Sequence, residues 1–284
     1  MSSLHSDNSR SLTKTDQEGD AIVAFVMTNE DRIEGKNIRL PAGIKGTWEL
    51  TVKVGKRGIK QGGGIAVTEL GFWFGSRLQR FNPKAIDYVT AETSGDAKLE
   101  PITNERSARV KAVVKEGTLA QGEKITIRIG DRQLGGVGSI ASPIVTQGTV
   151  TIGVDVDGSG RYEDSVTPPL NIEFVSHPRV TRYYFTAPSI VALGEEFSVN
   201  VAAMDMNGNL IKDFEGNIKF QPNASIQGLP SAYLFKKDDF GAKRFTGLKA
   251  TATGVHRIQL IDEEHGVAAE SNPIKCLPKV NQRI

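Results

Sequence analysis

Glycine and proline set the longest element this chain can form. The 30 glycines and 12 prolines interrupt nearly every window, and no stretch of a dozen residues sustains an apolar repeat of three or four. Between them stand short runs rich in β-branched residues, among them GTWELTVKV, ARVKAVV, EKITIRIG and TVTIGVDV. Side chains alternate across a strand, so such runs give one face to bury and one to leave wet. The pattern predicts an all-β fold, mostly antiparallel.

A length of 284 residues with 38% hydrophobic content is enough for two cores. The first 18 residues are polar and predict a disordered tail. Residues 19–177 predict a β-sandwich. Pro178, within VSHPRV, breaks the series, and residues 178–280 begin a cleaner one. In GEEFSVNVAAMD, Phe197, Val199 and Val201 share a face, and MNGNL supplies Asn-Gly for a tight turn. About seven such strands in roughly a hundred residues suggest an immunoglobulin-like sandwich. The lone Cys276 excludes an internal disulfide.

A net charge of +2 with no dense basic run argues against nucleic acid or an anionic membrane as a partner. The first 20 residues contain neither a signal peptide nor a membrane span, which makes the cytoplasm the expected location.

Several motifs raise the question of chemistry. In DVDGSGRYED, Asp155, Asp157 and Ser159 occupy positions one, three and five of a calcium loop, with Gly160 at six. Val166 stands where the bidentate carboxylate belongs, and strand-like runs flank the loop. A turn that uses Asp and Gly for positive φ accounts for the same letters better, with weak surface calcium binding as the alternative. The glycines Gly62, Gly63 and Gly64 lie beside Lys56, Arg57 and Lys60. Without a following helix N-terminus they read as a bulge or close backbone packing rather than a phosphate cradle. GDRQLGGVGS reads the same way.

LGFWFGSRLQRF places Trp73 on the face opposite Phe72 and Phe74, with Arg77 and Arg80 nearby. This is the candidate docking or ligand face, with RIQLI in the second domain as the alternative; burial within a core is the competing reading. His5, His177, His256 and His265 lack metal-ligand spacing, and no nucleophile elbow, Walker loop or paired-cysteine site occurs. The residues therefore predict no catalytic group and no cofactor for this chain.

Taken in order, GTWELTVKVGKRGIKQGGGI, DYVTAETSG, GDRQLGGVGS, APSIVALGEEFSVNVAAMDMNGN and GVHRIQLIDEEHGVAAESNPI resemble a bacterial family catalogued as a domain of unknown function (DUF). Its members are distantly related to PHP-type metal-dependent phosphoesterases within the amidohydrolase-like enzymes. The resemblance covers about residues 40–278. In that family such β-modules precede a hydrolase domain opening with a metal-binding Gly-Asp-x-His motif, whereas this sequence stops at VNQRI. The resemblance thus implies a non-catalytic N-terminal accessory region that docks a hydrolase domain in cis or in trans, with a divalent metal only in that domain. The alternative is a free-standing carbohydrate- or protein-binding module. Weak self-association is expected of an uncovered docking face.

Overall fold

The computed structural model describes residues 21–27, 37–43, 45–68, 78–104, 107–164, 170–221 and 223–279. The tail expected over residues 1–18 lies outside them, as do Phe72, Trp73, Phe74 and Arg77. The chain divides into two compact units, Met1–Val175 and Ser176–Ile284. Both are all-β sandwiches, the second immunoglobulin-like. Helical structure among the described residues is confined to a 3-10 turn at Lys237–Asp239, and no helix among them is long and apolar enough to cross a membrane.

Alternation builds the first unit. In β4 (Trp48–Val54), Trp48, Leu50, Val52 and Val54 are buried while Glu49, Thr51 and Lys53 lie on the other face. β9 (Lys124–Ile129) repeats the device with Ile125, Ile127 and Ile129. The two pair antiparallel with Leu50 opposite Ile127. β1 (Ala21–Met27) and β6 (Val89–Thr93) complete a sheet of order β1-β4-β9-β6. The second sheet runs β2 (Asn37–Pro41), β13 (Leu170–Val175), β11 (Thr146–Asp155), β5 (Gly64–Thr68), β8 (Ser107–Glu116), β7 (Lys98–Asn104), with β12 (Glu163–Asp164) on β11. A small ribbon joins β3 (Lys45–Gly46) to β10 (Ser139–Ile140). Trp48, Val52 and Ile127 of the first sheet share one core with Ile65, Val110, Ile152 and Phe174 of the second.

The second unit has a sheet of order β14 (Arg182–Thr186), β16 (Glu196–Met204), β20 (Ala242–Ala250), β18 (Ile226–Gln227). Opposite it run β19 (Ala232–Phe235), β17 (Gly216–Phe220), β22 (Gln259–Asp262), β23 (Val267–Glu270). A third set comprises β15 (Ile190–Ala192), β24 (Ile274–Leu277) and β21 (Gly254–His256). Edge-to-face rings cross the core. Phe220 of β17 meets Phe185 at 6.0 Å and Phe245 at 5.0 Å between centroids, both on the facing sheet, and such pairs add about 0.5–1.5 kcal/mol each beyond area burial. Ile258 and Leu260 of RIQLI sit in this core, while Arg257 and Gln259 are exposed and Ile261 is half-buried on the other face. The strands outnumber the expected seven because short bridging segments such as β15, β18 and β21 form beside the long ones. Two pairs, β2 with β13 and β15 with β24, are parallel, where the sequence pattern suggests antiparallel neighbours.

On the outward face of the first sheet Arg128 is only 12% exposed, and its guanidinium bonds both Glu49 and Glu92 across three strands. The hydrogen bond from Arg128 holds Glu92 below its ordinary 4.5, against the opposing effect of partial burial. A carboxyl more acidic when folded contributes stability that is complete above its unfolded pKa and is lost as pH falls through the folded one. Glu92 is half exposed, so the contribution is about 0–1 kcal/mol. Urea melts of Glu92→Gln and the parent should therefore differ at neutral pH and converge below about pH 4. A gap that persists into acid contradicts the ion pair.

Candidate functional site

The DVDGSG loop begins where β11 ends. Asp155 is 1% exposed. Its Oδ1 accepts hydrogen bonds from the backbone N–H groups of Asp157, Gly158 and Ser159 at 3.3, 3.0 and 3.2 Å. Its Oδ2 accepts from the Gly160 N–H at 2.7 Å. The carboxylate therefore meets donors over both oxygens, and the loop's N–H dipoles point at it. Asp157 is exposed and accepts from the Ser159 N–H at 3.1 Å; hydrogen bonding by Ser159 holds its carboxyl below the ordinary range. The geometry is a tight turn built around one buried side chain.

The triple glycine packs beneath this turn. A Cβ at Gly63 would lie 2.4 Å from the Asp155 carbonyl oxygen, and one at Gly64 would lie 2.1 Å from that of Ala112. Gly62, at φ +87°, and Gly158, at φ +79°, bring their backbones together, since a Cβ on Gly62 would stand 3.4 Å from the Gly158 Cα. The two glycine-rich motifs are thus one structural unit. Lys56, Arg57 and Lys60 are exposed.

The buried aspartate recurs at other strand ends. Asp205, directly after β16, is fully buried and accepts from the N–H groups of Asn207, Asn209 and His177 at 2.9, 2.8 and 3.0 Å. Burial raises its carboxyl, but the bonds from Asn209, His177 and Asn207 together outweigh that and hold it below the ordinary range. Asp131, just beyond β9, accepts from Thr90 Oγ1 at 2.5 Å and the Gln133 N–H at 2.9 Å.

The fourth case involves a histidine. Asp262, at the end of β22, is fully buried and accepts from Tyr183 Oη at 2.6 Å and the His265 N–H at 3.1 Å. The His265 ring Nδ1 lies 2.9 Å from the same carboxylate. A carboxylate that orients an imidazole makes up two of the three members of a catalytic triad. Here the third member is a buried phenol, and burial first, then Asp262, pushes Tyr183 far above the ordinary phenol range. The phenol keeps its proton at neutral pH and donates a hydrogen bond through it to Asp262, and the cluster joins β14 to the β22–β23 turn. The other described histidines make local bonds: His177 Nδ1 accepts from the Arg179 N–H at 3.1 Å, and His256 Nε2 lies 2.7 Å from the Ala252 carbonyl. No group of three or more His, Cys, Asp or Glu side chains suited to a metal ion occurs among the described residues.

Of the candidate docking face only Arg80 is described. It bonds Glu100 at 2.9 Å and stacks 5.0 Å from the Phe81 ring centre. Sequence reasoning singled out GDRQLGGVGS as close backbone packing but missed its partner loop and the side chains the two leave exposed. The segment around residues 79–88 and that around residues 131–139 are tied together by the Asp87 N–H to the Gly138 carbonyl at 3.2 Å and the Asp131 N–H to the Tyr88 carbonyl at 2.9 Å. Ser139 donates to the buried Asp87 carboxyl, which burial raises above its ordinary range. These joined loops leave Phe81 71%, Leu134 60%, Val137 45% and Ile86 43% exposed. The letters carried that signal only as isolated apolar residues between glycines.

No family model matches the chain, and no curated protein matches it. Domains 5 and 6 of the S-layer protein SbsC are similar over 92% of this chain and 100% of that one, at 10% identity and a TM-score of 0.25. A family 2 glycosyl hydrolase from Bacteroides cellulosilyticus is similar over 90% of this chain at 9% identity and a TM-score of 0.33; the chain spans 28% of its length. Red sea bream transglutaminase is similar over 98% of this chain and 34% of its own, at 12% identity and a TM-score of 0.23.

Because Asp155 meets its own loop's donors, Asp155→Ala should lower stability by about 1–3 kcal/mol in urea melts, with Asp157→Ala near neutral. Calorimetric titration of the parent with millimolar calcium should give no saturable heat. A saturable heat lost in Asp155→Ala would establish a cation site instead.

Proposed function

We propose that the chain is the non-catalytic accessory region of a metal-dependent hydrolase, a β-sandwich scaffold that docks the hydrolase domain in cis or in trans. The carrying observation is the pair of joined loops in the first unit. They are tied to each other by backbone hydrogen bonds and leave Phe81, Ile86, Leu134 and Val137 exposed on adjoining segments, and exposed apolar side chains that gather on a surface mark a place for another protein. A divalent metal belongs, on this reading, to the docked domain.

An uncovered docking face promotes weak association. Light scattering over a concentration series should show reversible self-association of the parent that is reduced in the double variant Phe81→Ser, Leu134→Ser. The melting temperature should stay within about 2 °C, because both side chains are mostly exposed. A parent that remains monomeric throughout, or a variant that associates as strongly, counts against this face.

A further inference from the structure

The sheet β14-β16-β20-β18 has an outward surface quite different from those loops. Pairing places Tyr184 of β14, Ala202 of β16 and Ala242 of β20 abreast. Two residues along, Thr186, Asn200 and Arg244 form the next row. Two residues the other way stands Arg182, whose guanidinium lies 5.5 Å from the Tyr184 ring centre. Tyr184 is 51% exposed. Arg244 is exposed and donates through Nε to Ser198 Oγ at 2.9 Å, which engages one of a guanidinium's five N–H donors.

Alanine is a poor strand former, and two of them side by side beside an aromatic ring forgo the cross-strand packing that stabilises a sheet. What they create is a shallow floor, about 10 Å across at a strand spacing of about 4.8 Å, with the Tyr184 ring as one wall. An exposed ring offers an apolar surface with a polar tip. The rise of roughly 3.3 Å per residue and the same strand spacing put the backbones of Arg182 and Arg244 roughly 16 Å apart, at opposite corners of the floor. Guanidinium groups pair with carboxylates in a bidentate fork. Glu196, the acidic residue among the outward positions of β16, is drawn to Lys249 at 3.2 Å, so the floor itself is bordered by positive charge.

We propose that this surface binds a carboxylate-bearing oligosaccharide, a uronate chain, with one sugar ring lying on Tyr184 over the Ala202–Ala242 floor and carboxylates engaged by Arg182 and Arg244. The surrounding hydroxyl and amide side chains, Ser198, Thr186 and Asn200, match the hydroxyl-rich edges of a sugar better than the apolar centre that a protein partner brings. The site is independent of the docking loops in the first unit.

Isothermal titration of the full chain with oligogalacturonate, beside a malto-oligosaccharide of equal length, tests it. Saturable binding is expected for the uronate, weakening as salt rises, with none for the neutral sugar. Tyr184→Ala should weaken the uronate affinity by at least about tenfold; Arg244→Gln should reduce the salt dependence. Ala242→Glu, which puts a carboxylate on the exposed floor, should abolish binding with an unchanged melting temperature and decides the matter if Tyr184→Ala proves unstable. Lack of uronate binding by the parent, equal binding of both sugars, or binding that survives Ala242→Glu overturns the proposal.

Discussion

A carboxylate taken out of water at the end of a strand is tolerable only if donors meet it, and this chain arranges for its own next residues to do so. Asp155 and Asp205 receive the backbone N–H groups that the following turn would otherwise leave unpaired. Asp262 and Asp131 divide their oxygens between the turn and a side chain from another strand, Tyr183 of the opposite sheet in one case and Thr90 of the adjacent strand in the other. Each carboxylate thereby stops a strand and shapes a reversal, and Asp131, Asp205 and Asp262 also tie theirs to a distant segment. In a fold with no α-helix among its described residues, those reversals hold the sheets in register.

Much of this was legible. Strict alternation in WELTVKV and KITIRI leads directly to the buried Trp48, Val52 and Ile127 and to the outward Thr51, which meets Thr126 at 3.2 Å. The Asp-Gly letters of the DVDGSG loop likewise announce a turn, because its bonds span only two to five residues. What escaped detection is contact between distant letters. Tyr183 and Asp262 are separated by 79 positions, and no periodicity links a phenol to a hairpin on the opposite sheet. The meeting of Gly62 with Gly158 has the same character: each segment signals a special backbone, and neither names its partner. The parallel pairs escaped too, since a short strand bears no mark of its neighbour's direction.

The two surfaces singled out for function differ in kind, and their chemistry follows from where each lies. Loops tied by backbone hydrogen bonds can carry exposed Phe81 and Leu134 without collapsing onto them, which suits contact with a shaped protein surface. A flat sheet face fixes its side chains by register, so that Tyr184, Ala202 and Ala242 stand in a row whether or not anything is bound. That face suits a repeating chain of rings. A scaffold that held an enzyme with one unit and its polymer with the other would need no reactive group of its own.

The parallel pairing of β15 with β24 has a mechanical consequence. Tension applied at the start of one strand and the end of the other pulls them along their shared axis in opposite directions. The register from Ile190 opposite Lys275 to Ala192 opposite Leu277 then loads its hydrogen bonds together, in shear, so they cannot open one after another as in a hairpin peeled from its free end. Tension that reaches this pair from those two ends meets all of its register at once.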